Sequence, residues 1–150
     1  MKKILLLLIS SFVLFSCNQN SEQTTQQEEE EEHQHHNHAE SEGLELNHGE
    51  KWVVNDEMKP FVLKSEEIVN SYIASNSSDH QNLAAQLKEQ NAGLIKSCTM
   101  QGKSHDELHK WLHPYIDLLN KLSKAETKEE AEHLIAEINE SFKTYHAYFQ

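Results

Sequence analysis

The chain has 150 residues, room for one domain, and a formal net charge of −12 with its eleven histidines neutral. All 13 of its basic residues are lysine. With no arginine for bidentate contacts to bases or phosphates, and no basic patch along the chain, the composition argues against nucleic-acid binding.

Met1 to Ser16 opens with Lys2 and Lys3 and continues into two apolar runs, Ile4 to Ile9 and Phe12 to Phe15, the pattern of a secretory signal. The run falls short of the ~20 apolar residues that a membrane span needs. It ends in Leu14-Phe15-Ser16-Cys17, which resembles the lipobox of bacterial lipoproteins: a leucine three residues before the cysteine and a small residue just before it. The resemblance implies cleavage before Cys17, lipidation of its thiol, and a place in the bacterial cell envelope, anchored to the membrane and facing the periplasm or the cell surface. Cys98, the second of two cysteines, is then a lone thiol in an oxidising compartment, where burial or metal ligation would protect it.

Residues 17–43 read as a lipid-anchored tether. Almost nothing in them is apolar, so the segment is expected to be a disordered spacer. Its run from Glu28 to Glu32 also resembles the acidic export signals of some surface-displayed lipoproteins. Next to it, His33, His35, His36 and His38 form a short tract able to collect divalent metals loosely.

Residues 44–150 are expected to form an all-α domain, an up-down-up-down four-helix bundle with a short N-terminal β-hairpin. The hairpin comes from alternating Leu44 and Leu46, turn chemistry at Asn47-His48-Gly49, and alternating Trp52 and Val54. A first helix over roughly Glu57 to Ser75 is capped near Asn55 or Asp56, with Pro60 tolerated in its first turn. A second helix starts at Ser78 or Asp79, and His80, Leu83, Ala84, Leu87, Asn91, Leu94, Ile95 and Cys98 follow the spacing of its inward face. Gly102 can end it, and Ser104 with Glu107 spells a capping box for a third helix that Pro114 should kink. A fourth helix has a capping box at Thr127 and Glu130 and the cleanest apolar stripe, Leu134, Ile138, Phe142 and Tyr145 among it. Short connections favour antiparallel neighbours. As a whole the domain resembles small extracytoplasmic lipoproteins of unassigned function.

The corner between the second and third helices holds the chemistry. Cys98, Met100, His105, His109 and His113 fall within sixteen residues. Antiparallel packing brings Met58 and His146 to the same end of the bundle, with His48 nearby on the hairpin. His80 lies a whole helix away, roughly 27 Å at helical rise. His105 and His109, at i and i+4, share a face and suit one ion. His113 lies about 12 Å from His105 along the axis and reads as a surface residue. The expected metal set is therefore Cys98, Met100, His105 and His109, completed by His146 or Met58. Soft sulfur donors favour Cu(I), Zn(II) comes second, and a haem with Met and His ligands third. His105-Asp106-Glu107-Leu108-His109 departs from the H-E-x-x-H metalloprotease pattern at the general-base position, so the protease mechanism does not carry over. The expected function is extracytoplasmic copper or zinc buffering or transfer, with a metal-transfer or envelope protein as partner. The alternatives are an envelope interaction or scaffold lipoprotein without a metal site and, with less support, a metal-dependent enzyme.

Overall fold

The computed structural model describes residues 43–150. The signal, Cys17, and His33, His35, His36 and His38 of the tether lie outside the described residues. Four helices follow in order: α1 (Lys59–Ala74), α2 (His80–Ser97), α3 (Lys103–Leu122) and α4 (Lys128–Tyr148). They form a four-helix bundle in which α1 packs most extensively on α2, α3 on α4, and the α1–α4 seam is thinnest. Among the described residues no helix is long and apolar enough to cross a membrane.

Cross-chain hydrogen bonds fix the directions. The side chain of Asn55 donates to Ser97 O at 2.9 Å and accepts from Thr99 N at 3.1 Å, tying the approach to α1 to the end of α2. Trp52 N donates to Tyr148 O at 2.8 Å, and Gln150 N donates to Trp52 O at 2.9 Å, tying the same approach to the end of α4. At the other end, His80 Nε2 lies 3.0 Å from Ala125 O in the α3–α4 connection. Consecutive helices therefore alternate in direction.

The caps explain the boundaries. Asp79 accepts from Asn82 N at 3.0 Å and starts α2. Thr127 accepts from Glu130 N at 3.2 Å and starts α4, while Glu130 reaches back to Glu126 N. Helix α1 begins later than the sequence suggests. Asn55 is committed to α2, so Met58 stands at the N-cap with no side-chain cap. The expected Ser104–Glu107 box does not form. Gly102, at φ +62°, is the N-cap of α3, a left-handed conformation that glycine adopts without penalty. Ser104 Oγ donates to Gln101 O, and Glu107 is occupied elsewhere.

Among the described residues no β-strand forms. Asn47 and Glu50 exchange two backbone hydrogen bonds, 2.8 and 3.0 Å, around His48 and Gly49, both at positive φ. Trp52 bridges Phe149 in parallel. Residues 43–54 thus run as a strap over the bundle. The core contains Met58, Leu87, Leu119 and Ile138, with Trp111 stacked on Tyr115 and tilted against Tyr145. Trp111 Nε1 donates to Ser141 O at 2.8 Å, which satisfies its buried donor and joins α3 to α4.

Candidate metal centre

The first three turns of α3 present two different faces. One carries His105, His109 and His113, spaced four residues apart so that successive rings stand over one another. His109 Nε2 lies 3.1 Å from His105 Nε2, and His109 Nδ1 lies 3.2 Å from His113 Nε2. The rings meet edge to face, with centroids 4.3 and 5.1 Å apart. His105 and His109 are half-buried and His113 is exposed. Burial holds the His109 pKa below its ordinary value of 6.5, and the His105 and His113 imidazoles push it the same way against the opposing pull of Asp106. A neutral ring keeps a free lone pair, the form that a metal needs.

The expected ligands divide between several settings. His105 and His109 come together as the i, i+4 pair. Cys98 is the extended C-cap of α2, half-buried and with a free thiol, and its backbone N–H donates to Ile95 O at 3.2 Å. Met100 is half-buried against the core, and Met58 is wholly buried within it. His146 faces Glu66 across the α1–α4 seam, Nε2 to Oε1 2.6 Å, and meets the Tyr145 ring edge-on. His48 is exposed at the tip of the Asn47–Glu50 turn. Among the described residues, no group of three or more His, Cys, Asp or Glu side chains is arranged to hold one ion. The donors that do meet are imidazole nitrogens. His113 is at the surface, as expected, yet its Nε2 lies within hydrogen-bond distance of His109 Nδ1, which the axial distance from His105 alone does not reveal.

The other face of the same turns carries a buried carboxylate that sequence reasoning assigned to a cap. Glu107 has a fully buried side chain. It accepts from the backbone N–H of Glu45 at 2.9 Å and from Lys103 Nζ and Lys110 Nζ at 3.0 Å each. Lys103 also reaches Glu45, and Lys110 reaches Gly43 O. Burial pushes the Glu107 pKa up, but the Glu45 N–H and the two lysines outweigh it and hold the carboxyl below its ordinary range. Trp52 Nε1 closes the strap by donating to Glu45 O at 2.7 Å. The available signal was a glutamate between lysines at i−4 and i+3, one turn before Trp111 on the apolar stripe.

No protein-family model, no curated protein and no solved structure matches the chain.

Proposed function

We propose that this chain is a lipid-anchored protein of the bacterial cell envelope that binds copper or zinc outside the cytoplasm and buffers or hands it over. The observation that carries the proposal is the 3.1 Å separation of the His105 and His109 ring nitrogens on one face of α3. Imidazole serves both metals. The anchor is the proposed lipid on Cys17, and the His33–His38 tract would gather ions near the domain. The turn at Asn47–Glu50 supports reading residues 44–54 as a hairpin-like strap, and the hydrogen bonds of Glu45 hold that strap against α3. Cys98 and Met100, half-buried where α2 gives way to α3, are the soft donors that a Cu(I) version of the site would recruit.

Metal titration of the full mature chain tests this, with Cu(I) and Zn(II) competition and elemental analysis. The double variant His105→Ala/His109→Ala should lose tight binding. Cys98→Ser should weaken Cu(I) more than Zn(II). Equal affinity in the wild type and the double variant would refute the metal role. That result would favour an envelope interaction protein, for which exposed Val53 (66%) and Leu63 (57%) are the features to test.

A further inference from the structure

We infer that His113 is a positioning residue for an ion held between His105 Nε2 and His109 Nε2, and that the ion is a borderline divalent transition-metal cation. This rests on the metal-binding proposal above and adds the ligand atoms, the ion class and the role of a third ring. A neutral imidazole has one lone pair and one N–H. His109 has a neighbour at each nitrogen: His105 Nε2 at 3.1 Å from its Nε2, and His113 Nε2 at 3.2 Å from its Nδ1. When His109 Nδ1–H donates to His113 Nε2, the His109 lone pair is placed on Nε2, facing His105. Metal-bound histidines characteristically donate their second N–H to an acceptor, usually a carboxylate, a backbone carbonyl or water, which fixes tautomer and ring orientation; here the acceptor is the His113 Nε2 lone pair.

The distance suits one ion. With metal–nitrogen bonds of about 2.0–2.1 Å, nitrogens 3.1 Å apart subtend about 98° at the metal, between square and tetrahedral coordination. The 109–113 contact has a similar length but is exposed, whereas the 105–109 contact is partly buried, where water competes less. Binding forms two coordinate bonds from ring lone pairs and releases two water ligands from the hydrated ion. The Nε2 proton of His105 moves to its own Nδ1 through solvent, and His109 keeps its Nδ1 proton on His113. Two imidazole nitrogens suit Zn(II), Cu(II) or Ni(II) rather than a soft monovalent ion. They leave coordination positions open to water or to the ligand of a receiving protein.

The test uses the full mature chain with His33, His35, His36 and His38 each changed to Gln, titrated with Zn(II) alone, alongside nitrogen-15 NMR of the histidine rings. His105→Ala and His109→Ala should each weaken binding by about 100-fold or more. His113→Phe should weaken it about tenfold, within the range for a lost partner of a metal-bound histidine. His113→Gln, whose carbonyl accepts the Nδ1 proton, should recover most of that loss. His109 should show the Nδ1–H tautomer in the parent chain and lose that preference in His113→Phe. His113 is exposed, so neither change at that position threatens the fold. If His113→Phe binds like the parent, or as poorly as His105→Ala, or if Gln restores nothing, the positioning role is wrong while the metal site stands. If His105→Ala and His109→Ala bind like the parent, the site itself is wrong.

Discussion

Replacing Glu107 tests the strap most severely. Its carboxylate has no solvent exposure and satisfies three donors, one of them the backbone N–H of Glu45. Removing one partner of a fully buried pair costs about 3–5 kcal/mol. Here Lys110 retains 25% exposure and Lys103 more, so both ammonium groups regain water and the cost shrinks. Glu107→Ala should therefore destabilise by about 2–3 kcal/mol, since the Glu45 N–H and the space beside it are left unfilled. Glu107→Gln keeps the shape and one acceptor and should cost about 1–1.5 kcal/mol. The sign with pH follows from the lowered pKa. The contribution of the carboxylate is complete above the ordinary value of 4.5 and is lost as pH falls through the lower folded value, so Glu107→Gln should flatten the acid limb of stability. Urea unfolding read by tryptophan fluorescence, with hydrogen exchange at Glu45, measures both effects. Glu107→Ala within about 0.5 kcal/mol of wild type, the scatter of ordinary surface changes, and with Glu45 still protected, would refute this account of the strap.

A Cβ at Gly93 would run into the Phe61 ring where α1 and α2 approach each other. Gly93→Ala gains up to about 1 kcal/mol of helix propensity against about 1–3 kcal/mol of overpacking, so urea unfolding should show a net loss near 1 kcal/mol, relieved by Phe61→Leu in the same chain. The buried Tyr115 hydroxyl makes no hydrogen bond of ordinary geometry; burial pushes its pKa up to about 12 against the opposing influence of the nearby Ser65 hydroxyl, which itself donates to Phe61 O. Tyr115→Phe should therefore leave stability unchanged or raised, and a loss above about 1 kcal/mol would reveal a hydrogen bond that this geometry lacks. Because the His109 pKa is lowered, the native state favours its neutral ring; that contribution is complete above 6.5 and is lost as pH falls through the lower folded value, so His109→Gln should flatten the fall of the melting temperature as pH drops below 6.5. Intact-mass analysis of membrane-extracted protein should find an acylated Cys17 at the N-terminus, and a soluble product with a free Cys17 thiol would overturn the anchor.

The helices were legible because their signals are local. Asp79 and Thr127 cap as their sequences suggest, and the stripe of Leu134, Ile138, Phe142 and Tyr145 is buried as its spacing requires. The start of α3 was misread because a capping box and a buried ion cluster share one spelling. Ser-x-x-Glu says nothing of a backbone N–H 62 residues away, and Glu45 is what Glu107 accepts from. The i, i+4 pairing of His105 and His109 follows from helix geometry alone. The contact of His113 with His109 depends on side-chain rotation about the helix surface, which spacing does not fix. The partnership of His146 with Glu66 needs the α1–α4 packing and could not be read from either helix by itself.

The most direct measurement of the metal claim is X-ray absorption at the zinc edge of the mature chain with His33, His35, His36 and His38 changed to Gln, loaded with one equivalent of Zn(II). The account predicts nitrogen and oxygen neighbours at about 2.0–2.1 Å, outer-shell scattering from two imidazoles that disappears in His105→Ala/His109→Ala, and no sulfur shell. A sulfur neighbour at about 2.3 Å would move the site to Cys98, and a spectrum unchanged by the double substitution would show that α3 does not hold the ion.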